Sequence, residues 1–367
     1  MTADTKQMKR ALTLARKGIG KTSPNPVVGC VIVKNGTVVG EGWHKKAGGP
    51  HAEIHALEMA GDAARDADVY VTLEPCCHSG KTPPCSKALI KAGVRQVVAG
   101  MRDPNPEVNG GGLEALEAAG IKTSCGMLEE ECRAINLPFI KYVTTGMPYV
   151  TYKCAMTLDG NIATLTGESR WISCEESRKQ VHLMRSRMDA VMVGVDTIIA
   201  DNPQLTVRHV RGKDPLRIIV DTRLRTPKTV TILNGELSTK TIIATSEIDT
   251  DIHRPYLDQG ATVVVCDECD GRVSMQDLLQ KLGIMGVQSI LLEGGSRLAG
   301  SMLQLGVIDE LVFFVAPKII GSNGFAPFNL QGITSMADAI KLDFTDMRRI
   351  GSDIVVTARP ERLCSPA

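Results

Sequence analysis

Residues 69–93 of this 367-residue chain are VYVTLEPCCHSGKTPPCSKALIKAG. The β-branched run Val69–Leu73 predicts a strand, and Ser86–Ala92 predicts a helix closed by the glycine that follows. Cys76 therefore follows a strand, and Cys85 stands where a helix begins. A strand that leads through a loop of cysteines and prolines into a helix favours a layered α/β domain.

The segments around this stretch continue the alternation, and Asn35-Gly36 between two strands is a strong hairpin signal. The predicted strands are Val27–Lys34, Thr37–Trp43, Val94–Met101 and Ile121–Cys125. The predicted helices are Met8–Ala15, Ala52–Ala60 and Gly112–Ala119. Together they predict one α/β domain.

A turn-forming stretch at Thr144–Pro148 predicts a domain boundary, so the expected domains are residues 1–146 and 147–367. Beyond it, β-rich runs alternate with helical stretches, which predicts a second α/β domain. The predicted strands there are Tyr149–Ala155, Ala190–Val195, Arg217–Asp221, Thr241–Ala244, Thr262–Val265, Ser289–Leu292 and Glu310–Ala316. The predicted helices are Glu175–Met188, Met275–Leu282 and Arg297–Leu305.

The composition argues against several classes of protein. Lys and Arg number 42 and Asp and Glu 41, a formal net charge of +1, which argues against a broadly basic nucleic-acid binder. Aromatic residues are only 4%, too few for a platform that stacks single-stranded bases. No apolar run approaches the roughly 18 residues of a membrane span. The 11 scattered cysteines and an N-terminal stretch without an apolar secretory core predict reduced thiols in the cytoplasm.

Three residues, His51, Cys76 and Cys85, are the candidate ligands of one zinc ion per chain. One imidazole and two thiolates suit zinc and leave a fourth position for a water molecule. His51 and Cys85 stand at predicted helix starts, where the helix dipole favours a thiolate and a negatively charged water. Glu53 is then placed to move a proton to a leaving group without binding the metal. The order His-x-Glu, then Pro-Cys, is typical of zinc deaminases.

The spacing leaves alternatives open. Eight residues separate the two cysteine ligands, where the general deaminase pattern has two. Cys77 is an alternative ligand, although an adjacent pair fills two tetrahedral positions poorly. A purely structural zinc site would take His55 or His78 as its fourth ligand, which leaves Glu53 without a purpose. Unligated buried cysteines are a further alternative, whereas a zincin site is excluded because the glutamate of HAEIH stands in the wrong place.

Motifs in both halves of the chain carry a family resemblance. Those of the first half are Pro24–Gly29, His51–Glu53, Glu74–Cys76 and Pro84-Cys85. Those of the second half are Tyr152–Ala155, Leu158–Gly160, Gly167–Ile172, Asp201–Pro203 and Leu292–Gly295. With them the chain closely resembles, over nearly its whole length, the bifunctional deaminase–reductase family of riboflavin biosynthesis, in which the widened cysteine spacing is typical.

The resemblance implies a cytidine-deaminase-like α/β/α sandwich followed by a dihydrofolate-reductase-like α/β domain. The first domain would hydrolytically deaminate 2,5-diamino-6-(5-phosphoribosylamino)pyrimidin-4-one to the corresponding uracil. The second would reduce the ribosyl group of that product to ribityl with NADPH. The implied partners are these small phosphoribosylaminopyrimidines and further copies of the chain, as a dimer or tetramer, with no nucleic acid and no membrane.

For the deaminase domain, the resemblance implies catalysis by Glu53. The candidate substrate contacts are Asn25, His44, His78, Lys81 and Asn105. The amide of Asn25 both donates and accepts hydrogen bonds at a ring edge, and Lys81 carries the positive charge that a phosphate needs. The alternative for Asn25 and Asn105, which stand beside prolines, is a turn-forming role.

In the reductase half, Gly294-Gly295 after a predicted strand lets a phosphate approach the N–H groups of the next helix, although such pairs are also common in turns. The implied NADPH contacts are Ala155, Trp171, Thr197, Asp201, Thr222, Gly295, Ser296, Arg297, Leu298, Ala299, Gly300 and Ser301. The implied substrate contacts are Ser169, Arg185, Leu205, Arg208 and Glu293. The two arginines suit a phosphate, and their alternative is a solvated surface; for Trp171 the alternative is core packing.

Three further interpretations stay open. Lys153 and Glu293 are candidates to assist the proton movement that accompanies hydride transfer. Arg223, just after a predicted strand, is a candidate for binding the 2′-phosphate of NADPH, or else an ordinary surface arginine. For the whole protein, the alternatives are a deaminase of another substrate with a degenerate second domain, and a zinc-stabilised binding or regulatory protein.

Overall fold

The computed structural model describes residues 2–77, 83–106 and 111–361. The chain divides into two compact units, Met1–Gly146 and Met147–Ala367. Within the described residues, no helix is both long enough and apolar enough to cross a membrane.

The first unit has a mixed sheet in its described residues. The strands are β1 (Gly29–Lys34), β2 (Thr37–Trp43), β3 (Asp68–Val71), β4 (Gln96–Ala99) and β5 (Lys122–Cys125). The helices are α1 (Ala3–Ala15), α2 (Ala52–Ala60), α3 (Cys85–Ala92), α4 (Gly111–Ala118), α5 (Glu129–Ala134) and α6 (Leu137–Thr145). The sheet order is β2-β1-β3-β4-β5; β1 is antiparallel to both neighbours, and β3, β4 and β5 are parallel.

Both faces of this sheet are covered, because side chains alternate along a strand. On one face, Cys30 and Ile32 pack in a cluster with residues of α2, α3 and α4. On the other face, Val31 and Val33 pack in a cluster with Met8 and its neighbours on α1. The first unit is therefore an α/β/α sandwich, which confirms the fold class expected for this half.

Two glycines of β2 bring α2 very close to the sheet. A Cβ added to Gly42 would lie 2.1 Å from the carbonyl oxygen of Ala52, and one on Gly40 would lie 2.2 Å from that of Ala56. Only hydrogen fits at these two positions, since a real Cβ never approaches an oxygen so closely. Because His51 immediately precedes α2, this packing also fixes the position of the first candidate metal ligand relative to the sheet.

The second unit has a long mixed sheet in its described residues. The strands are β6 (Tyr149–Thr157), β7 (Ala190–Gly194), β8 (Leu216–Val220), β9 (Thr241–Thr245), β10 (Thr262–Val265), β11 (Glu268–Cys269), β12 (Arg272–Val273), β13 (Ser289–Leu292), β14 (Glu310–Ala316), β15 (Leu342–Ile350) and β16 (Asp353–Pro360). The helices are α7 (Glu175–Arg185), α8 (Val195–Asp201), α9 (Thr250–Leu257), α10 (Met275–Ile284) and α11 (Ser296–Gln304).

The order of this sheet is β10-β9-β8-β7-β13-β6-β14-β16-β15, and β11 and β12 form a separate antiparallel ribbon. The strands from β10 to β14 are parallel, whereas β16 and β15 extend the sheet in antiparallel fashion. All four residues of β13 are buried, as expected for a parallel strand covered on both faces. Ile218 and Ile219 of β8 point into two different core clusters, one on each face.

Most predicted elements are confirmed, and the differences have physical reasons. The predicted strand Val94–Met101 is shorter, because β4 pairs only over Gln96–Ala99. The helices α5 and α6 were not predicted, and α6 contains no fully buried residue that would give it a clear apolar stripe. The edge strand β15 was also missed, because its residues LDFTDMRRI are exposed on both faces and show no alternation of apolar and polar side chains.

Candidate active sites

The three candidate zinc ligands lie together in the first unit. His51 precedes α2, Cys76 follows β3, and Cys85 is the first residue of α3. Their ligand atoms all lie within 4.8 Å of one another. The His51 Nδ1 atom is 3.2 Å from the Cys85 sulfur and 3.6 Å from the Cys76 sulfur. One nitrogen and two sulfurs so arranged form a donor set that suits zinc with one open position.

In the part of the chain that the structure describes, no fourth histidine, cysteine or carboxylate joins this cluster. The Nδ1 atom of His55 lies 3.4 Å from a carboxylate oxygen of Glu58 instead. The sulfur of Cys77 lies against Gly111, 2.9 Å from where a Cβ on that glycine would stand. A closed structural site with His55 as the fourth ligand therefore does not match the geometry.

The N-terminus of α3 holds Cys76 in place. The Cys85 N–H donates to the Cys76 sulfur at 3.3 Å, and both the N–H and the hydroxyl of Ser86 donate to the Cys76 carbonyl. The hydrogen bond from the Cys85 thiol lowers the pKa of Cys76, and the same bond raises the pKa of Cys85. Cys76 is therefore the first of the two to ionise, and a bound cation favours the loss of the second proton.

Glu53 lies in the first turn of α2 and lines the same cavity as His51 and Cys76. Its side chain is buried, with 3% of the residue exposed. Burial raises the pKa of the Glu53 carboxyl to about 7. A carboxyl group that exchanges its proton near neutral pH is suited to general acid–base catalysis.

The cavity beside the cluster has a volume of about 460 Å³ and is also lined by Asn25, His44 and Asn105. The Asn25 amide donates to His44 Nε2 at 3.1 Å, and His44 Nδ1 donates to the Pro50 carbonyl at 3.0 Å. Burial lowers the pKa of His44, so its neutral form fixes the orientation of the Asn25 amide. The Asn105 N–H donates to Asp103 Oδ1 at 2.9 Å, so this asparagine both forms a turn and lines the cavity.

Two candidate substrate contacts, His78 and Lys81, lie outside the described residues. Their roles rest on the family resemblance alone.

Glu74 was assigned no role from the sequence, yet it organises the wall of this cavity. Its carboxylate accepts hydrogen bonds from the N–H groups of Gly112, Leu113 and Asp103 at 3.0, 3.1 and 3.2 Å. A Cβ on Gly112 would lie 1.8 Å from the Pro75 carbonyl oxygen, so only glycine allows this approach. Glu74 therefore ties the start of α4 to the loop that carries Cys76.

Two adjacent cavities of the second unit, of about 670 and 500 Å³, lie at the carboxyl ends of its parallel strands, the usual ligand position in such sheets. The smaller cavity is lined by most of the predicted substrate and nicotinamide-side residues: Lys153, Ala155, Ser169, Trp171, Arg185, Thr197, Asp201, Arg208 and Glu293. The larger is lined by Thr197, Thr222, Gly295, Ser296, Arg297, Leu298 and Ser301. Asp196, Thr197 and Gly295 line both, so the two cavities are adjacent.

Trp171 is 63% exposed, so it does not fill the core. The guanidinium carbon of Arg178 lies 4.5 Å from the centre of its ring, a distance at which a cation is attracted to the ring face. The alternative interpretation of Trp171 as a core residue is therefore wrong.

Arg185 and Glu293 form a buried bidentate ion pair at the floor of the smaller cavity. Arg185 Nε and Nη2 donate to the two carboxylate oxygens at 2.6 and 2.9 Å. Burial alone would raise the pKa of Glu293, but the charge and hydrogen bonds of Arg185 hold it below its ordinary value.

His182, which sequence analysis missed, also lines this cavity and accepts a hydrogen bond from the backbone N–H of Arg208 at 3.2 Å. Burial lowers the pKa of His182 to about 4.

Three predicted contacts, Leu205, Ala299 and Gly300, are not among the residues that line either cavity. Leu205 is packed in a core cluster. The predicted phosphate loop Gly295–Ser301 is largely the first two turns of α11, which begins at Ser296. Ala299 and Gly300 lie on the inner face of that helix, and a Cβ on Gly300 would be 2.4 Å from the carbonyl oxygen of Asn329. Gly300 is thus explained by packing.

Arg223 lines the larger cavity, as expected. However, its two terminal nitrogens lie 3.2 Å from a carboxylate oxygen of Glu247 and 2.8 Å from one of Glu268. Two carboxylates thus already engage its charge, which weakens the interpretation of Arg223 as the anchor of a 2′-phosphate.

Comparisons with known proteins find a separate family match in each half of the chain. Residues 1–101 match the model of the cytidine and deoxycytidylate deaminase zinc-binding region, and residues 148–356 match that of the RibD C-terminal domain. The chain is 46% identical to the riboflavin biosynthesis protein RibD of Actinobacillus pleuropneumoniae, over 96% of this chain and 94% of that one. It is 42% identical to RibD of Escherichia coli, over 96% and 98%.

Two solved structures are similar along almost the whole chain. Acinetobacter baumannii RibD superimposes with a TM-score of 0.89 at 39% identity, covering 98% of this chain and 99% of that one. A diaminohydroxyphosphoribosylaminopyrimidine deaminase/5-amino-6-(5-phosphoribosylamino)uracil reductase from Thermotoga maritima gives a TM-score of 0.83 at 36% identity, with the same coverage.

Proposed function

This chain belongs to the RibD family, and from that premise we propose how the residues of its two sites carry the two reactions. It is a bifunctional enzyme of riboflavin biosynthesis, with a zinc-binding deaminase domain and a reductase domain. The deaminase acts on 2,5-diamino-6-(5-phosphoribosylamino)pyrimidin-4-one, and the reductase converts the ribosyl group of the resulting uracil to ribityl. The convergence of His51, Cys76, Cys85 and Glu53 on one cavity carries the deaminase assignment.

In the deaminase site, His51, Cys76 and Cys85 would hold the zinc ion. Bound zinc is a Lewis acid that lowers the pKa of a water molecule in its open position. Glu53 takes up a proton from the attacking water molecule and delivers it to the amino nitrogen. The water oxygen bonds to the ring carbon, and the amino group leaves that carbon as ammonia. Its burial keeps bulk water away from this transfer. Asn25, held by His44, binds the polar edge of the ring with its amide.

Exchange of Cys76 for alanine is expected to remove the zinc, because only two ligands then remain. Metal analysis of the purified chain should fall from about one zinc per chain to nearly none. Cys77→Ala is the matched control, since its sulfur faces Gly111, and it should keep its zinc. Zinc retained by Cys76→Ala, or lost from Cys77→Ala, would contradict the ligand set.

The same variant separates a catalytic site from a structural one. A zinc-stabilised binding module unfolds without its metal, whereas this domain has two apolar clusters to hold it together. We therefore expect Cys76→Ala to keep the far-ultraviolet circular dichroism of the native chain while losing deamination.

The reductase site fits NADPH. A Cβ added to Gly295 would meet nothing within 4 Å, so the start of α11 offers open space next to its first N–H groups. The N-cap residue, Gly295, has no side chain to accept hydrogen bonds from these groups, which suits a diphosphate. The cofactor, when bound, supplies a hydride. Arg208 is placed to bind the substrate phosphate, whereas Arg185 and Glu293 neutralise each other in the same cavity. Lys153 lies in that cavity for the proton movement that accompanies reduction.

Absorbance of NADPH tests both reactions in one experiment. With the diaminopyrimidine substrate, we expect NADPH oxidation that depends on prior deamination; with the deaminated intermediate, oxidation should begin at once. Absence of oxidation with either substrate would contradict the reductase assignment and favour a deaminase joined to a degenerate domain.

The described cysteines are all free thiols, which supports a reducing compartment such as the cytoplasm.

The chain is proposed to form a homodimer through β15. Phe344 and Met347 of this edge strand are 69% and 62% exposed. A long exposed edge strand has unpaired backbone groups that can pair with a strand of another chain. An antiparallel, two-fold pairing centred on Met347 places Asp346 opposite Arg348 of a second copy and Phe344 opposite Ile350. Arg348 already pairs with Asp346 of its own copy, so the apolar side chains of this strand, rather than its charges, favour the pairing.

Exchange of Phe344 for aspartate is expected to convert this dimer into a monomer, because it puts an unpaired carboxylate into the apolar part of the pairing. Light scattering after size exclusion should show the mass fall by half. Ile248→Asp is the control, because Ile248 is 82% exposed away from β15, and it should stay dimeric. A monomeric native chain, or a dimeric Phe344→Asp variant, would contradict the proposal.

A further inference from the structure

Four arginines line the larger cavity of the second unit: Arg223, Arg225, Arg272 and Arg297. If the function proposed above holds, this cavity receives the adenosine end of NADPH. The predicted substrate residues lie in the smaller cavity, and Gly295 at the start of α11 lines both. A dinucleotide with its nicotinamide in the smaller cavity and its diphosphate at α11 extends its adenosine into the larger one.

Arg223 is occupied by the protein itself. It bridges Glu247, which follows β9, and Glu268 of β11, through N–O distances of 3.2 and 2.8 Å. Two carboxylates around one guanidinium leave a net negative charge, which repels a phosphate. Arg223 therefore clamps the β11–β12 ribbon to the sheet.

Arg225 and Arg297 share a carboxylate. Their guanidinium nitrogens lie 2.9 and 3.9 Å from the two oxygens of Asp196. Arg272 is different, because no carboxylate lies within ion-pair distance of it among the described residues. Arg225, Arg297 and Asp196 together keep one net positive charge, whereas Arg272 is, within the described residues, the one of the four with no carboxylate partner at all.

The backbone around Arg272 holds it at the cavity wall. It follows the turn residues Asp270 and Gly271, whose φ angles are 50° and 73°, as a tight two-residue hairpin requires. The next residue, Val273, is buried, and its N–H donates to the hydroxyl of Thr222 at 3.2 Å. Thr222 itself lines the cavity just after β8, so this bond ties the ribbon to a residue that is an implied NADPH contact.

We propose that Arg272 binds the 2′-phosphate of NADPH and is the residue that selects NADPH over NADH. A guanidinium presents a planar set of N–H donors that matches a phosphate. Within the described part of the chain, no acidic side chain engages these donors of Arg272, so none has to be released before the cofactor binds. The assignment replaces Arg223, the arginine that the sequence singled out.

Equilibrium binding tests this without turnover. The dissociation constants of NADPH, NADH and 2′,5′-ADP are measured by titration calorimetry for the native chain, Arg272→Ala, Arg272→Lys and Arg223→Ala. Hydrogen bonds to charged groups contribute about 1.5–3 kcal/mol each. We therefore expect Arg272→Ala to weaken NADPH and 2′,5′-ADP by about 10- to 100-fold and NADH by less than about threefold. Arg272→Lys should recover part of the loss, and Arg223→Ala should change the NADPH-to-NADH ratio by less than about threefold.

Two results would overturn the assignment. One is an unchanged ratio of NADPH to NADH affinity in Arg272→Ala, whether or not both dinucleotides bind more weakly, and the other is an Arg223→Ala variant that loses NADPH preference as strongly. Because Arg272 is exposed in the two-residue strand β12, its variants should melt at the native temperature, so altered binding is not a folding effect. If the native chain bound neither dinucleotide, the reductase assignment itself would fail. That failure is seen in the native chain alone, whereas failure of the Arg272 assignment is seen only when the variants are compared with it.

Discussion

Exchange of Glu53 for glutamine should lower the deamination rate by about 10²- to 10⁴-fold, the usual contribution of a positioned general acid–base group. The amide keeps the shape of the carboxyl group, so the buried site stays packed, but it neither takes up nor delivers a proton. Release of ammonia from the diaminopyrimidine substrate measures the loss directly. Reduction of the deaminated intermediate should be unchanged, because Glu53 belongs to the first unit and the reductase residues belong to the second.

Two controls make this result specific. Zinc content should stay at the native level, because Glu53 is not among the clustered ligands. Glu58→Gln, on the same helix but exposed beside His55, should deaminate at the native rate. A Glu53→Gln enzyme that keeps both its zinc and its deamination rate would show that another group moves the proton.

The zinc cluster was predictable because each of its ligands lies at the end of a helix or strand that the neighbouring residues determine. His51 and Cys85 stand at helix starts and Cys76 after a strand, and each of these boundaries has its own signal in the neighbouring residues. The α/β fold was predictable for the same reason, since buried parallel strands are continuous apolar runs. Where structure depends on local periodicity, the sequence analysis and the structure agree.

The remaining parts depend on residues far apart in the chain. Glu74 receives its hydrogen bonds from N–H groups 29 to 39 residues away, and no pattern around Glu74 shows this. Gly300 suggested a phosphate contact but is a glycine because of the nearby Asn329 carbonyl. Arg272 follows an Asp-Gly turn of the same kind as Asn35-Gly36, but its strands have only two residues each, too few to be recognised.

The ion pair between Glu293 and Arg185 should be the most costly one to break in the second unit. Their side chains are only 10% and 12% exposed, so Glu293→Gln leaves a buried guanidinium without its counter-charge. Loss of one partner of such a pair costs about 3–5 kcal/mol of the free energy of unfolding. Denaturation followed by Trp171 fluorescence, in a Trp43→Phe background, reports on the second unit alone, because the chain has only two tryptophans. Glu175→Gln, which breaks an exposed pair with Lys179, should give no measurable change.

The same pair should make the second unit sensitive to acid. Arg185 holds the pKa of Glu293 in the folded state below the ordinary carboxyl value of 4.5, and Lys153 and His182 face the same carboxylate. A carboxyl group whose pKa is lowered by folding contributes stability above its unfolded pKa and loses it as the pH falls through the folded pKa. The native chain should therefore lose stability below about pH 4.5, whereas Glu293→Gln should lose less over that range. Parallel curves for the two proteins would show that the pair adds nothing to folding through its charge, and the destabilisation by glutamine would then have to come from packing.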